Sequence, residues 1–160
     1  MFERITLEAF QAGLSWLVIL RKRDRLRLVF ADFEVATVAG YDEGDVARLL
    51  TDPGIVRNKA KIEATIANAR AAASLDEPLA ELVWRFAPTP RPPRPDTMAD
   101  IATRTPESTA LAAELRRRGF RFVGPTTAYA LMQATGMVDD HLAGCAVLVD
   151  DEPASTTIKT

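Results

Sequence analysis

Apolar residues recur along this chain with the three-to-four-residue spacing of amphipathic helices. The first such run extends from Phe2 to Leu20 and predicts one helix. The positions on its predicted buried face are Leu7, Phe10, Leu14, Leu17 and Val18. No stretch alternates apolar and polar residues as a half-buried strand does, so the pattern predicts an all-α fold.

Further helical segments follow the first. They are a short helix from about Asp42, a long run over Ile55 to Ala73, a short helix within Pro78 to Phe86, and a helix from Pro106 to Arg118. In the long run, the positions predicted to face inward are Ile55, Ile62, Ile66, Ala69 and Ala73. The start of this run also carries several charged residues, and such a cluster usually forms a hydrated helix face. The residues predicted to face solvent are Arg57, Lys59, Lys61 and Glu63.

A proline-rich segment lies between the last two of these helices. Six prolines fall within Ala87 to Pro106. Because proline fixes φ and lacks an N–H group, no long helix can form there, and an extended loop with polyproline character is expected. We expect this loop to cross the surface of a single domain. A linker between two lobes is the alternative.

The stretch from Gly119 to Cys145 predicts a helix, a hairpin and a second helix. Gly119 ends the preceding helix, the Val123-Gly124-Pro125 turn follows, and Thr126 or Thr127 is expected to cap the next helix. Free N–H groups at a helix start suit an anion such as phosphate. Basic residues crowd the approach to this turn, and they are Arg116, Arg117, Arg118 and Arg121. A clamp on a nucleic-acid backbone and an ordinary helical hairpin with a hydrated rim fit equally well.

Composition and charge limit the classes of protein. With 160 residues, 48% of them apolar, the chain can bury one good core, so a single domain is expected. The net charge of −2 does not indicate a polyanion partner, although Arg21 to Arg27 and Arg116 to Arg121 are locally basic. The single cysteine excludes an intrachain disulfide and is typical of a reducing compartment. No apolar run reaches the length of a membrane span and no signal peptide precedes the first helix, so a cytoplasmic protein is expected.

Two groups of polar residues are candidates for chemistry. Glu8 and Gln11 belong to a stripe of polar and small residues on the first helix, flanked by Trp16, as a pocket for a planar heterocycle would need. The alternative, which these residues by themselves favour, is a hydrated Glu8 and a Trp16 in the core. After the last helix, Asp139 and its neighbour Asp140 place two carboxylates beside the only histidine.

Four segments, in order and spacing, resemble DNA-3-methyladenine glycosylase I, a family of the helix-hairpin-helix DNA glycosylase superfamily. They are LEAFQAGLSW at Leu7 to Trp16, GIVRNKAKIEATIANARA at Gly54 to Ala71, RRRGFRFVGPTTAYALMQATG at Arg116 to Gly136, and DDHLAGC at Asp139 to Cys145. The likeness covers Met1 to about Val149 and makes the match specific. It implies one compact helix-hairpin-helix glycosylase domain over 1–149, followed by a disordered acidic tail over 150–160.

The resemblance implies a DNA repair enzyme that flips 3-methyladenine out of double-stranded alkylated DNA and hydrolyses its N-glycosyl bond. An abasic site is left. In this family the residue at Glu8 hydrogen-bonds the flipped base, and Gln11 and Trp16 are expected in the same pocket. The residues expected to contact DNA at the hairpin are Arg121, Val123, Gly124, Thr126 and Thr127. The protein is expected to act as a monomer.

Two further expectations concern mechanism. Relatives that also cut the strand use a lysine in or near the hairpin, and no lysine occurs between Ile62 and Ile158, so a hydrolase without lyase activity is expected. In the wider superfamily an aspartate in a V-D-x-H setting steadies the developing oxocarbenium ion. Asp139 occupies that position and is a second catalytic candidate, with helix capping or surface charge as its alternative role.

Zinc is the cofactor that the resemblance implies. Family members tie their two ends together with a Cys and a His near the amino terminus and a His-x-x-x-Cys near the carboxyl end. His141 and Cys145 match the second half, but tetrahedral zinc needs four ligands. The other half, together with a tyrosine and a tryptophan of the base pocket, would have to precede Met1. The chain is therefore expected to be either a shortened homologue that binds zinc poorly or the product of a truncated gene model.

Two functions of different classes stay open at this point. One is the N-glycosylase, and the other is a degenerate, non-catalytic fold that only holds DNA through its hairpin. They differ in whether Glu8 is needed for release of 3-methyladenine.

Overall fold

The computed structural model describes residues 1–147, and in that part of the chain the regular structure is helical. The helices are α1 (Phe2–Gln11), α2 (Trp16–Val29), α3 (Val35–Ala39), α4 (Glu43–Thr51), α5 (Lys59–Ala73), α6 (Leu79–Trp84), α7 (Pro106–Arg117) and α8 (Pro125–Ala134). Short 3₁₀ turns lie at Ala31–Phe33 and Met98–Asp100. The predicted all-α fold is confirmed. The predicted disordered tail over 150–160 lies outside the described residues.

Two hydrophobic clusters form the core, and α1 contributes to both. Leu7 and Phe10 belong to the cluster built with α2 to α5, whereas Ile5 belongs to the cluster built with α6 to α8. Phe30 and Phe33, whose rings stack 5.9 Å apart, lie in the first cluster. A helix that packs on two sides in this way is held firmly, which matters because α1 also carries polar residues of the candidate site.

The prediction of one helix over Phe2 to Leu20 is wrong. The chain leaves the helical conformation after Gln11, and Gly13 takes a left-handed φ of 79° before α2 begins at Trp16. As a result Leu14, predicted to be buried, is 40% exposed. Leu17 and Val18 were also predicted to be buried and are exposed as well. The apolar spacing continued through the break, but glycine makes the left-handed turn without strain.

Other helix boundaries follow their capping signals. Asp42 and Asp45 form a reciprocal capping box at the start of α4, and Thr105 accepts from the Ser108 N–H at the start of α7. At α8, however, the cap is Gly124 and not Thr126 or Thr127. The reason is Pro125, whose fixed φ suits the first helical position and moves the start of the helix forward.

Helix α5 is the longest helix of the described residues, although it begins only at Lys59. The inward positions predicted correctly are Ile55, Ile62, Ile66 and Ala69. Ala73, by contrast, is exposed. The larger error is Lys61, which was predicted to face solvent but is only 6% exposed.

The proline-rich crossing loop between α6 and α7 has no α-helix, as predicted, and packs against the segment after α8. The Arg91 guanidinium donates to the Gly136 carbonyl at 2.6 Å, and the Ala143 N–H donates to the Pro95 carbonyl at 2.9 Å. The loop therefore positions residues 136–147. Within residues 1–147, no helix combines the length and the apolar character that crossing a membrane would require.

Candidate active site

A cavity of about 480 Å³ opens between the α1–α2 turn and the end of α8. Its volume falls in the range of roughly 300–1,000 Å³ that is typical of small-molecule sites. The lining residues are Arg4, Glu8, Gln11, Trp16, Ala130, Gln133, Ala134, Val138, Asp140 and His141. The structure thus brings together the three residues predicted to bind a base.

The break between α1 and α2 builds one wall of this cavity. Glu8 and Gln11 are one helical turn apart on α1, so they share a face. Trp16 is the first residue of α2 and reaches the same cavity because the chain turns at Gly13. The wall therefore presents a carboxylate, an amide and an indole, which together suit a planar ring with polar edges.

Glu8 is the most unusual group of the cavity. It is 5% exposed, and within residues 1–147 its carboxylate has neither a hydrogen bond nor an ion pair. Burial raises the pKa of Glu8 to about 7, partly opposed by the charge of Arg4. A buried carboxylate without a partner is costly to keep in the folded protein. A ligand that is cationic or donates hydrogen bonds would relieve that cost.

Asp139, the second catalytic candidate, does not line the cavity. Its Oδ2 accepts from Arg94 Nε at 2.7 Å, and its Oδ1 lies 2.8 Å from His141 Nδ1. Burial alone would raise the pKa of Asp139, but hydrogen bonds from His141 and Arg94 outweigh it and the pKa is lowered. Both oxygens are therefore engaged with side chains. A catalytic role for Asp139 stays a prediction.

The next residue, Asp140, is the carboxylate of this segment that lines the cavity. The Tyr129 hydroxyl and the Gln133 amide both donate to its Oδ2, at 2.8 and 2.6 Å. Burial, together with Asp140, raises the pKa of Tyr129 to about 12, so the phenol stays a donor. Sequence reasoning named Asp140 together with Asp139 but chose Asp139 as the catalytic candidate. Its adjacency to Asp139 was the available signal, but only the turn of the chain shows which of the two faces the cavity.

The predicted DNA-contacting hairpin lies between α7 and α8, and its residues differ in what they can offer. Arg121 and Thr126 are exposed and Thr127 is half-buried, whereas Val123 is only 4% exposed. Val123 can therefore contribute backbone groups but little side-chain surface. Gly124 caps α8 without a side chain, which leaves the first-turn N–H groups without a side-chain acceptor. Such a helix start suits a phosphate.

The basic residues near the hairpin are not equivalent. Arg117 and Arg118 both pair with Glu114, at 2.6 and 2.9 Å. Arg116 donates from Nε to the Ala112 carbonyl of its own helix. Within residues 1–147, the Arg121 guanidinium has no hydrogen bond or ion pair. Of the four arginines, Arg121 is therefore the one whose charge is most available to a partner.

The residues described do not by themselves form a zinc site. Among residues 1–147, no three side chains of His, Cys, Asp and Glu come together in a way that could hold a metal ion. His141 lines the cavity and has Nδ1 bonded to Asp139, and Cys145 is half-buried. His141 and Cys145 supply at most two of the four ligands that structural zinc needs. Zinc binding stays a prediction.

A helical domain that combines a hairpin with an uncapped helix start and a cavity of this composition is typical of helix-hairpin-helix DNA glycosylases, which bind DNA and hold a flipped base. Comparison with known proteins narrows this class. The family described as methyladenine glycosylase matches residues 1–148. A protein of Escherichia coli K12, DNA-3-methyladenine glycosylase 1, is 43% identical over 157 residues, covering 96% of this chain and 84% of that protein.

Solved structures agree with this match. The crystal structure of a 3-methyladenine DNA glycosylase I superposes with a TM-score of 0.87 at 45% identity, covering 91% of this chain and 82% of the other. A second structure shows the basis of 3-methyladenine recognition by the 3-methyladenine DNA glycosylase I of Staphylococcus aureus. It superposes with a TM-score of 0.86 at 32% identity, covering 91% of this chain and 79% of the other. The chain belongs to the DNA-3-methyladenine glycosylase I family, and with it to the N-glycosyl hydrolases of DNA repair.

Proposed function

We propose that this chain excises 3-methyladenine from double-stranded alkylated DNA and that the cavity between α1 and α8 holds the flipped base. Excision of 3-methyladenine is the activity of its family. The observation that carries the assignment of the site is Glu8, a buried carboxylate without a partner beside Gln11 and Trp16. The non-catalytic alternative offers no reason to keep such a group buried.

The chemistry of the lesion fits this wall of the cavity. A 3-methyladenine nucleotide carries a positive charge on its ring, which already weakens the N-glycosyl bond. The Glu8 carboxylate attracts that charge and accepts an N–H of the base, and the Trp16 indole offers a face for stacking. Normal adenine is neutral and gains less from the same contacts. Glu8 and Trp16 therefore select the lesion as well as hold it.

Hydrolysis then needs little acid catalysis. The bond between the sugar C1′ and the base nitrogen breaks, its electron pair neutralises the base, and a cationic sugar forms. A water molecule adds to C1′ and releases a proton, which leaves an abasic site. We place the two cavity carboxylates, Glu8 and Asp140, near this charge transfer because negative groups in a water-poor cavity favour a developing cation.

The absence of lyase activity is part of the same proposal. A lyase needs an amine that can reach the sugar carbon. Lys61 is buried, and burial lowers its pKa, but it does not line the cavity. Its ammonium donates at 2.7 Å to both the Phe10 and the Ala12 carbonyls. Lys61 is therefore engaged with the backbone and unsuited to forming a Schiff base.

The DNA backbone is held, on this proposal, by the hairpin between α7 and α8. The Gly124 helix start receives a phosphate, and Arg121 adds a charge beside it. Leu14 is exposed in the α1–α2 turn, between the cavity residues Gln11 and Trp16. An exposed apolar side chain next to the base cavity can fill the gap that a flipped nucleotide leaves in the stack. Because the relatives are bacterial and DNA is the substrate, we also propose that the protein is cytoplasmic.

The test is excision by the Glu8→Gln variant. Glutamine keeps the shape of the side chain but removes the charge, so we expect release of 3-methyladenine from alkylated duplex to fall about 10- to 100-fold. Binding to undamaged duplex should stay within about twofold of wild type, because the hairpin is untouched. Equal excision by the variant and the wild type would remove Glu8 from the site. A wild-type chain that binds duplex but releases no base would favour the non-catalytic alternative.

A further inference from the structure

Helix α5 carries three buried polar side chains, and two of them, Lys61 and Asn68, bond to segments outside the helix in a way that the proposed function does not use. Lys61 is 6% exposed and Asn68 is 1% exposed. Each donates to backbone atoms of a segment far away in sequence, and the two segments are the two that the proposed function assigns to DNA. We propose that α5 acts as a spacer that sets the distance between the base cavity and the phosphate-binding hairpin, with Lys61 and Asn68 as positioning residues.

Lys61 holds the end of α1 through hydrogen bonds. Its ammonium donates to the carbonyl oxygens of Phe10 and Ala12, both at 2.7 Å. These oxygens lie where α1 ends, and the last carbonyls of a helix lack partners within the helix. They also carry the negative end of the helix dipole, which a cation stabilises. Lys61 therefore holds the turn that carries Gln11 into the cavity and leads directly to Trp16.

Asn68 holds the backbone of the hairpin at Arg121 through hydrogen bonds. Its Oδ1 accepts from the Arg121 N–H at 2.6 Å, and its Nδ2 donates to the Arg121 carbonyl at 3.1 Å. The side-chain amide thus pairs with both backbone groups of one residue, as a neighbouring strand would do. A buried amide satisfied in this way leaves its partner little freedom. The backbone of the hairpin is thereby fixed three residues before Gly124.

The spacing of Lys61 and Asn68 explains why one helix can do both. They are seven residues apart, so they lie on the same face of α5, about two turns or 10 Å along its axis. An α-helix is stiff over that length. A glycosylase must hold a phosphate and a flipped base of one DNA strand at the same time, so the distance between the cavity and the hairpin has to be constant. Lys61 and Asn68, as two anchors on one rigid helix, keep this distance constant.

The inference rests on the proposed function, and two variants separate the two anchors. Lys61→Met keeps an unbranched apolar side chain of similar length but removes the ammonium and both of its hydrogen bonds to the α1 carbonyls. We expect the affinity for free 3-methyladenine, followed by quenching of tryptophan fluorescence, to fall about tenfold, with affinity for undamaged duplex within about twofold of wild type. Lys61→Arg, which can still donate to two carbonyls, should recover most of the base affinity.

Asn68→Ala should give the opposite result. The hairpin loses both bonds, so we expect affinity for undamaged duplex, measured by fluorescence anisotropy, to fall about tenfold and the salt dependence to weaken. Binding of free 3-methyladenine should stay within about twofold. In excision of damaged duplex, KM should rise while kcat at saturating duplex is retained. Asn68→Asp keeps the acceptor, replaces the donor, and serves as the second variant if Asn68→Ala unfolds.

Thr65→Val is the matched control. Thr65 is equally buried, 2% exposed, and lies between the two anchors on α5, but its hydroxyl donates only to the Lys61 carbonyl within the helix. It should change neither affinity by more than about twofold. If Lys61→Met and Asn68→Ala lower both affinities together, or neither, α5 is not a spacer with separate anchors. A wild-type chain without excision would contradict the proposed function instead, whatever the variants show.

Discussion

Two buried ionisable residues, Glu8 and Lys61, show opposite arrangements. The Lys61 ammonium donates to two carbonyl oxygens, whereas the Glu8 carboxylate has no hydrogen bond or ion pair within residues 1–147. A charge that is fully hydrogen-bonded serves the folded structure, and one that is left unpaired in a cavity is available to a ligand. We therefore interpret Lys61 as a positioning residue and Glu8 as a binding residue, although both lie close to the same turn.

The raised pKa of Glu8 predicts how stability depends on pH. Its ordinary pKa is 4.5 and its pKa in the fold is about 7, so the folded protein binds more protons than the unfolded chain between these values. Stability therefore falls as pH rises from 4.5 to 7. Glu8→Gln should be more stable than wild type by up to about 3 kcal/mol at pH 8 and nearly equal at pH 4.5. Urea unfolding at both pH values measures this difference.

The same pKa predicts the pH profile of excision. The charge of the lesion is fixed, so only the ionised form of Glu8 attracts it. We expect kcat/KM for excision to rise with pH up to about 7 and then level off. In Glu8→Gln the residual rate should lack this rising limb. A limb that persists in the variant would assign the titration to another group.

At the scale of elements, two short connections decide what the helices can present. The α1–α2 turn brings Trp16 beside Glu8 and exposes Leu14, and the α7–α8 hairpin opens a helix start at Gly124. Each contains a glycine with a left-handed φ, Gly13 at 79° and Gly119 at 96°. Gly124 differs from both, because its φ of −100° is open to any residue.

A pair of glycine variants separates folding from DNA binding. A methyl group at Gly124 would meet no atom within 4 Å, so Gly124→Ala should keep its unfolding free energy within about 0.5 kcal/mol of wild type. The methyl would nevertheless occupy the space where a phosphate approaches the helix start, so affinity for duplex should fall about fivefold or more.

Gly119→Ala is the second variant of the pair and serves as the control for Gly124→Ala. Its left-handed φ makes alanine unfavourable, so it should lose about 1 kcal/mol of stability while binding duplex normally when folded. Thermal unfolding and fluorescence anisotropy measure the two effects. Unchanged duplex affinity in Gly124→Ala would mean that no phosphate approaches there.

At the scale of the whole molecule, the crossing loop holds the segment after α8, which in turn lines part of the cavity. Arg94 bonds to Asp139 and to the backbone carbonyls of Cys145 and Val147. The side chains of Arg94 and Asp139 are 22% and 9% exposed, so this ion pair is largely removed from water. It fixes the segment that supplies Val138, Asp140 and His141 to the cavity. A proline-rich loop suits this role because it loses little entropy when it is ordered.

Removing this anchor should affect stability and activity together. Arg94→Met leaves Asp139 buried without its cation, so we expect a loss of about 2–4 kcal/mol in the free energy of unfolding. Hydrogen exchange should accelerate over residues 136–147, and excision should fall with it. Asp139→Asn should also lower stability. If Asp139→Asn instead abolishes kcat without lowering stability, Asp139 is catalytic, as its V-D-x-H setting predicts.

The accuracy of the sequence predictions depended on how local the signal was. The starts of α4 and α7 were predicted correctly because Asp42 and the Thr105-Pro106 pair act on their own helix ends. The apolar spacing ran through Gly13, so the break between α1 and α2 was missed. Charge predicted exposure for Lys61 and was wrong, since carbonyls from another helix satisfy it. The family of the protein was predicted correctly from four motifs.

The sequence by itself determined the all-α class, several of the helix ends and the family, because capping, periodicity and motif order are properties of short stretches. Only the tertiary structure decided which of Asp139 and Asp140 lines the cavity. It also decided which of the four arginines near the hairpin has a guanidinium without a hydrogen bond or ion pair among residues 1–147. It also showed that Lys61 and Asn68 connect α5 to the cavity and the hairpin. These outcomes depend on contacts between residues distant along the chain, and no local pattern encodes the partner that a buried polar group will meet.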